Sequence, residues 1–194
     1  MSESPIRLVV GLGNPGPQYE ATRHNVGFWF TEHLAARNGG RFRLEAKFHG
    51  LLCRLQVGGV DLRLLNPTTF MNRSGQSVAA VARFFDISSE QILVAHDELD
   101  LPAGTLRLKQ GGGHAGHNGL RDIISALGSR DFWRLRIGID RPADRQQVVN
   151  YVLSRPSRED EAVLLDALDD AERCLPEVLA GEFQKAMNRL HASR

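Results

Sequence analysis

The segment that decides the fold runs from a strand into a helix: Ile6–Val10 is followed by Gly11-Leu-Gly-Asn-Pro-Gly16 and then by Thr22-Arg-His-Asn-Val-Gly27. The β-branched run Ile6–Val10 predicts a buried strand. Thr22 is a candidate N-cap for the helix that follows, which puts His24 in the first helical turn. The helix dipole disfavours a cationic ring there, so we expect a neutral His24 that can act as a base.

The glycines at 11, 13 and 16 match the dinucleotide-binding pattern G-x-G-x-x-G, but the rest of that motif is missing. Pro15 and Pro17 remove backbone N–H donors that a pyrophosphate needs, and the helix begins too far along the chain. The acidic residue required about 20 positions further on could only be Glu32, which lies inside the predicted first helix. The sequence therefore argues against a nicotinamide site.

Length and composition fit one globular domain spanning residues 1–194. The hydrophobic fraction of 42% and the charged fraction of 24% are ordinary for a soluble protein. No apolar run reaches transmembrane length, and the N-terminus lacks a basic segment followed by an apolar one. We therefore expect a cytoplasmic protein with no membrane partner. Cys53 and Cys174 form no framework and are expected to be reduced thiols.

The net charge of +1 does not suggest a general nucleic-acid-binding protein. Residues 1–156 contain 19 Lys and Arg against 14 Asp and Glu, whereas residues 157–194 contain 5 against 9. A basic body followed by an acidic segment leaves room for a local phosphate-binding patch. For the acidic segment itself, a solvated helix is the simpler interpretation.

Strand and helix patterns alternate along the chain, with one hairpin at Gly58-Gly59. The predicted helices cover about 22–38, a segment beginning at Ser74, 118–128 and 157–191, where Pro176 ends or kinks a helix. The predicted strands cover 6–10, 48–57, 60–65, 92–95, 106–109 and 135–139. We therefore predict an α/β fold, a single-domain three-layer α/β/α structure whose twisted mixed β-sheet is covered by helices on both faces.

Three further clusters of polar residues and glycines lie at element boundaries: 66–75, 96–100 and 111–119. Such loops converge beyond the strand ends of open α/β sheets, where ligands bind. Simpler interpretations stay open, because Asn72 or Asn118 can be a helix N-cap and Tyr19 or Phe70 an ordinary core aromatic. The joint pattern of amides, a histidine and an aspartate beside glycines favours a site.

A metal site is another alternative. His96, His114 and His117 are potential ligands together with Asp97, but their spacing lacks the regularity of a helical zinc motif. We expect no metal and no cofactor. A metal-dependent esterase that uses the three histidines remains a rival, which chelation can test.

No covalent nucleophile is recognisable, because G-x-S-x-G is absent and neither cysteine lies in an electropositive motif. A hydrolase built from these residues would use His24 to activate water. Asp97 would hold the tautomer of the ring and stabilise the imidazolium, while amide side chains would hold the substrate carbonyl. General base catalysis contributes about 10²–10⁴ in rate and one oxyanion donor about 10²–10³, which suffices for an activated ester.

In their order along the chain, these motif-dense blocks resemble the bacterial peptidyl-tRNA hydrolase family. The similarity covers nearly the whole chain and is densest at 11–27, 67–75, 96–104 and 107–123. It implies hydrolysis of the ester between a peptide and the 3′-terminal ribose of tRNA, which recycles tRNA from stalled or dropped-off translation products. The alternative is a non-catalytic RNA-binding protein on the same fold, which would not need the base.

The resemblance also implies roles for individual residues. The catalytic residues would be His24 as the base, Asp97 as its support and Asn14, which discriminates blocked from free aminoacyl groups. The residues expected at the tRNA acceptor end or the peptide are Tyr19, Phe70, Asn72, His117 and Asn118. Aromatic rings suit unpaired terminal bases, and amides suit the peptide backbone. Lys109 and Arg136 match positions that hold acceptor-stem phosphate.

The expected partner is therefore peptidyl-tRNA, bound through its acceptor stem and 3′ end by a monomer without an obligate protein partner. The sequence departs from the family pattern at Ala115, where glycine is usual, at Asn66, where lysine is frequent, and at Arg155-Pro156, where Phe is often found. Ala115 matters most, because an added methyl group can alter the loop that carries His117 and Asn118.

Overall fold

The computed structural model describes residues 5–192, which are built around a seven-stranded β-sheet. Its strands are β1 (Leu8–Gly11), β2 (Arg43–Glu45), β3 (Gly50–Val57), β4 (Val60–Pro67), β5 (Ile92–Glu98), β6 (Leu106–Gln110) and β7 (Trp133–Gly138). Their order across the sheet is β2-β3-β4-β1-β5-β7-β6. Strands β4, β1, β5 and β7 pair in parallel, and the remaining pairings are antiparallel, so the sheet is mixed as predicted.

Helices cover both faces of the sheet. They are α1 (Val26–Arg37), α2 (Ser74–Phe84), α3 (Asn118–Leu127), α4 (Val148–Val152), α5 (Arg158–Arg173), α6 (Leu175–Leu179) and α7 (Phe183–Ala192). Helices α1, α5, α6 and α7 pack on one face, and α2 and α3 pack on the other. Within the described residues, no helix combines the length and the apolar character needed to cross a bilayer.

Strand β1 divides the core between the two faces. Val9 belongs to the same buried cluster as Phe30 of α1 and Leu168 of α5. Leu8 and Val10 belong to the cluster on the side of α2 and α3. Side chains alternate between the faces of a strand, so a continuous apolar run is needed where both faces are buried. The predicted three-layer α/β/α architecture is confirmed.

The predicted hairpin is confirmed, but several element boundaries differ. Gly58 and Gly59 have φ angles of +56° and +82°, as a tight hairpin turn requires. Strand β5 continues three residues beyond the predicted end at Ala95, so it includes His96, Asp97 and Glu98 of the cluster at 96–100. Pro176 lies in the first turn of α6, where its missing N–H removes no helical hydrogen bond. The short exposed strand β2 was not predicted, since it has no apolar alternation.

The prediction that Thr22 caps the first helix is wrong. A 3-10 turn, Arg23–Asn25, precedes α1, and the Thr22 side chain accepts no hydrogen bond from it. The Thr22 hydroxyl instead donates to the carbonyl of Tyr19 at 2.8 Å. His24 therefore lies in this tight turn, one element before the α-helix.

Glycine lets this turn lie directly on the sheet. A Cβ atom on Gly27 would come within 2.4 Å of the Ala95 carbonyl oxygen and 2.5 Å of the Leu12 nitrogen. Real Cβ atoms do not approach backbone so closely, so only glycine fits at the start of α1. The close contact brings the turn that carries His24 onto the end of β5, which carries Asp97.

Candidate active site

The carboxyl ends of β1, β4 and β5 open into a cleft of about 480 Å³. Seven of the ten site residues predicted from the sequence line it: Asn14, His24, Phe70, Asn72, Asp97, His117 and Asn118. A crevice beyond parallel strand ends is the usual ligand site of open α/β sheets. Residues far apart in the sequence therefore meet where the sheet topology predicts.

Each carboxylate oxygen of Asp97 forms a hydrogen bond with one histidine. Nδ1 of His24 lies 2.8 Å from Oδ2, and Nε2 of His117 lies 2.9 Å from Oδ1. Nδ1 of His117 accepts from the Leu120 N–H at 3.4 Å, so its Nε2 carries the proton donated to Asp97. An ionised carboxylate can only accept hydrogen bonds, so Nδ1 of His24, which faces Oδ2, carries a proton as well. Its Nε2 is then unprotonated and has no partner among the described residues.

The charges and hydrogen bonds within the trio of His24, Asp97 and His117 keep Asp97 ionised. Burial alone raises the pKa of the Asp97 carboxyl, but the charges of His24 and His117 and their hydrogen bonds lower it well below its usual range. Burial lowers the pKa of His24, whereas the charge of Asp97 and the hydrogen bond that it accepts raise it by more. The net pKa of His24 therefore lies above 6.5.

This upward shift is opposite to the predicted direction, because a helix dipole at this position would lower the pKa of His24. The prediction rested on the dipole of a helix beginning at Thr22, yet His24 lies in a 3-10 turn and faces a carboxylate. Asp97 makes the ring a stronger base, at the cost of a larger protonated fraction near neutral pH.

His96 is held neutral beside the trio. Its Nδ1–H donates to the main-chain carbonyl of Asp97 at 2.8 Å, and its ring packs edge-to-face on His117 with 5.1 Å between centroids. Burial, followed by the charge of His117, lowers the pKa of His96 to about 3. His96 therefore fixes the backbone of Asp97 and does not serve as a base at neutral pH.

Asn14 is held so that it presents only donors to the cleft. Its Oδ1 accepts from the Met71 N–H at 2.8 Å. Its main chain is paired twice with the buried side chain of Asn25, whose Oδ1 accepts from the Asn14 N–H and whose Nδ2 donates to the Asn14 carbonyl. Because Oδ1 is already engaged, the group available for a ligand is Nδ2.

The other amides of the cleft are not helix caps. Asn118 is the first residue of α3, and the side chain that caps this helix belongs to His117. Asn72 lies in the 3-10 turn Met71–Arg73 and precedes the residue at the N-cap of α2. Both side chains are exposed on the cleft, together with Phe70, which is 58% exposed. The N-cap and core-aromatic interpretations are therefore wrong for these three residues.

A buried arginine holds the glycine-rich loop that leads to His117. The guanidinium of Arg134 donates to the carbonyls of Gly113 and Gly112 at 2.5 and 2.6 Å. Burial, with Arg130 and Arg136 nearby, lowers its pKa to about 10, so it remains a cation at neutral pH. Ala115 adopts a left-handed φ of +47°, the conformation that favours glycine. The loop thus keeps a glycine-like path at a cost of about 1–2 kcal/mol.

Three predicted residues do not line the cleft. Tyr19 is half-buried in the turn before His24, where its carbonyl accepts from the Thr22 hydroxyl. Lys109 is exposed at the end of β6. Arg136 lies on the neighbouring β7, and its Nε donates to Glu98 of the cleft at 2.9 Å. Arg136 is therefore joined to the cleft through one carboxylate.

Within residues 5–192, a metal held by the trio of His24, Asp97 and His117 would displace part of the hydrogen-bond network. His24, Asp97 and His117 offer ligand atoms that lie within 4.8 Å of one another. This trio differs from the metal set considered above, which relied on His96 and His114. The facing nitrogens already share hydrogen bonds with Asp97, so a cation would have to replace both protons there.

Some functional groups were missed by sequence reasoning. The side chain of Asn25 pairs with the backbone of Asn14, 11 residues away, and that of Arg134 donates to the Gly113 carbonyl, 21 residues away, and no local pattern signals such contacts. The apolar side chains Val149 and Leu153 line the cleft, although the sequence around them gives no strong periodicity. The one sequence feature that could have drawn attention to Asn25 is its position beside His24 in the segment 22–27.

Comparison with known proteins gives one consistent family. The family model described as peptidyl-tRNA hydrolase matches residues 8–194. A protein of Methylobacillus flagellatus named peptidyl-tRNA hydrolase is 59% identical over 186 residues, with 96% of each chain covered. One of Erwinia tasmaniensis with the same name is 55% identical, with 97% of each chain covered.

The solved structures agree with the sequence relatives. The crystal structure of peptidyl-tRNA hydrolase from Acinetobacter baumannii matches with a TM-score of 0.94 and 47% sequence identity. The match covers 99% of this chain and 96% of that one. Fold and sequence therefore point to the same family over the same length.

Proposed function

The chain belongs to the peptidyl-tRNA hydrolase family and hydrolyses peptidyl-tRNA, and we propose that it does so with water activated by His24, without a covalent intermediate or a metal. The observation that carries this mechanism is the 2.8 Å contact between Nδ1 of His24 and Asp97. It leaves Nε2 unprotonated in a cleft that is open to substrate.

The reaction begins when a water molecule gives a proton to Nε2 of His24 as its oxygen attacks the ester carbonyl carbon. The imidazolium that forms is stabilised by the ionised Asp97. The tetrahedral intermediate then collapses, the bond between the acyl carbon and the ribose 3′-oxygen breaks, and that oxygen takes the proton back from His24. The products are tRNA with a free 3′-hydroxyl and a peptide carboxylic acid, which loses its remaining proton to solvent as the carboxylate, and His24 is neutral again.

Amide donors in the same cleft suit the charge that develops on the carbonyl oxygen. Asn14 offers Nδ2–H groups held by the Met71 bond, and Asn72 and Asn118 lie exposed on the same cleft. Preorganised donors of this kind contribute about 10²–10³ each when they meet an oxyanion. Together with the base they account for cleavage of an activated ester.

Release of labelled N-acetylamino acid from N-acetylaminoacyl-tRNA tests this mechanism. We expect turnover that survives exhaustive chelation and shows no initial burst stoichiometric with the enzyme. In ¹⁸O-labelled water, the released carboxylate should gain one label and the tRNA none. Loss of turnover with chelator would favour the metal-dependent esterase, and a burst would favour an acyl-enzyme.

Asn14 is proposed to distinguish blocked from free aminoacyl groups. Its Nδ2 is a donor, so it pairs with the carbonyl of an N-acyl group but not with an ammonium, which offers only donors. Asn14→Asp keeps an acceptor for the Met71 N–H but presents an anion. We expect the ratio of kcat/KM for N-acetylated over free aminoacyl-tRNA to fall about tenfold or more. An unchanged ratio would remove this role from Asn14.

Tyr19, Phe70, Asn72, His117 and Asn118 are proposed to hold the 3′ end of the tRNA and the peptide. Phe70 supports this role most directly, because an exposed aromatic ring beside the reactive groups is suited to stacking on an unpaired terminal base.

The acceptor-stem phosphates are proposed to bind on the β6–β7 edge. Arg107 pairs with Arg136 across the two strands, and Lys109 with Arg134, so the four cations share one face of the sheet. Arg134 is buried and engaged with the loop, which leaves the other three for phosphate. The bond from Arg136 Nε to Glu98 leaves its terminal nitrogens open for a phosphate.

Lys109→Ala is expected to weaken binding of tRNA and to reduce the slope of log Kd against log salt by about one phosphate contact. Lys47→Ala removes an exposed lysine between β2 and β3, at the opposite end of the sheet, and serves as the control. Titration of non-hydrolysable peptidyl-tRNA at several salt concentrations gives the slopes. Equal slopes for wild type and Lys109→Ala would show that the phosphate lies elsewhere.

We further propose that the chain acts as a monomer in the cytoplasm, with tRNA as its partner and no obligate protein partner. The basic edge and the cleft are joined through Glu98, so one subunit supports both the phosphate contacts and the chemistry. Sedimentation of the protein with and without tRNA measures its oligomeric state.

A further inference from the structure

Helix α4 supplies an apolar wall to the cleft that the mechanism above does not use. Val148, Val149, Val152 and Leu153 all line the cleft, and they are called the α4 wall below. Val149 is 66% exposed and Leu153 is 38% exposed, although both are large apolar side chains. Exposed apolar surface beside polar, reactive groups is typical of a site for an apolar part of a ligand.

One buried guanidinium fastens this wall to the turn that carries the base. Nη1 of Arg23 donates to the carbonyl of Tyr151 at 3.0 Å and to the hydroxyl of Ser154 at 2.5 Å. The guanidinium carbon lies 3.9 Å from the centre of the Tyr151 ring, and the Arg23 main-chain N–H donates to the Ser154 carbonyl at 3.1 Å. Arg23 is only 9% exposed, so these bonds are largely shielded from water.

A second contact ties the same helix to the sheet. The hydroxyl of Tyr151 donates to the carbonyl of Ile139, just beyond the end of β7. Tyr151 therefore joins Arg23 on one side and the strand end on the other. Because Arg23 directly precedes His24, a displacement of α4 would break bonds made by the neighbour of the base.

We propose that the α4 wall binds the side chain of the esterified amino acid, and that Arg23 is a positioning residue that fixes the wall relative to His24. The proposal rests on the proposed function. The acyl group of the substrate has a polar main chain and a variable side chain. The cleft likewise offers amides, at Asn14 and Asn118, and an apolar wall. A leucyl side chain gains free energy by burying apolar surface against the α4 wall, whereas glycine has no side chain to bury there.

The test compares hydrolysis of N-acetyl-Leu and N-acetyl-Gly esters charged on the same tRNA. In the ratio of their kcat/KM values, the contributions of the tRNA contacts and of the base cancel because both substrates share them. Val149→Thr replaces one methyl group by a hydroxyl at nearly constant volume. We expect it to lower the Leu/Gly ratio about threefold to tenfold. Leu165→Gln on α5, an apolar position that is 49% exposed and lies outside the cleft, is the control and should leave the ratio unchanged.

Arg23→Met keeps the apolar stem of the side chain but removes its donors. We expect a larger fall in the Leu/Gly ratio than Val149→Thr produces, together with faster amide exchange of residues 148–154. Equal losses for both esters would mean that Arg23 acts on the base alone, which would overturn its proposed role. If Arg23→Met does not fold, Ser154→Ala removes one acceptor of the Arg23 guanidinium and should also lower the Leu/Gly ratio, with the same outcome overturning the role of Arg23.

An unchanged Leu/Gly ratio in Val149→Thr would overturn the side-chain site. That outcome differs from failure of the proposed function, in which the wild-type protein would release neither acyl group.

Discussion

Replacement of His24 by alanine is expected to lower kcat for peptide release by about 10²–10⁴, the contribution of a positioned general base. Asp97 holds both His24 and His117, but Nδ1 of His117 already accepts from the Leu120 N–H, so among the described residues of this pair only His24 has an unprotonated nitrogen without a partner. Binding should change little, because the proposed phosphate contacts lie on the β6–β7 edge. Single-turnover release and equilibrium binding of N-acetylaminoacyl-tRNA separate the two effects.

The matched control for this variant is His33→Ala, which removes an imidazole from α1 outside the cleft. It should release peptide at the wild-type rate. If His24→Ala kept full turnover while binding tRNA normally, the base would have to be another group.

Asp97→Asn is expected to lower kcat by a similar factor of about 10²–10⁴, although the asparagine side chain has almost the same shape as the aspartate it replaces. The carboxylate accepts from both His24 and His117, whereas an amide offers one acceptor and one donor. One imidazole must then change its tautomer. If His24 does so, its Nε2 carries the proton and can no longer take one from water. The developing imidazolium also loses its counter-charge.

Asp131→Asn is the control for this substitution, since it makes the same chemical change at an exposed carboxylate outside the cleft. The pKa of His24 should also fall in Asp97→Asn, because the charge that raises it is gone. An NMR titration of the His24 ring measures this shift. Wild-type turnover in Asp97→Asn, or an unmoved His24 pKa, would contradict the role of the carboxylate.

The layered fold was predictable because its signals are local. The apolar run before Gly11 predicts a buried strand, and the glycine pair at 58–59 predicts a hairpin turn, each from its own residues alone. Helix boundaries were less predictable. Thr22 has the right residue type for an N-cap, yet the contact of Gly27 with the sheet imposes a tight turn before the helix. Tertiary packing therefore sets the start of this helix, and the N-cap propensity of Thr22 cannot predict it.

The polar half of the cleft was predictable for a different reason. Asn14, His24, Asp97 and Asn118 stand at strand ends and turns, and the topology of a parallel sheet brings such positions together. Their supports were not predictable, because Asn25 and Arg134 act on backbone atoms. The direction of the shift in the His24 pKa depends on a contact with Asp97, 73 positions away in sequence, so local reasoning about the helix dipole gave the wrong direction.

The most direct test of His24 as the base is the pH dependence of kcat/KM in wild type and in His24→Ala, after correction for uncatalysed hydrolysis. Only the neutral ring can accept a proton, and Asp97 raises its pKa above 6.5. Wild-type activity should therefore be full above that raised pKa and fall about tenfold per pH unit below it. His24→Ala should lack this acidic limb. A limb of the same slope and midpoint in His24→Ala would contradict the assignment.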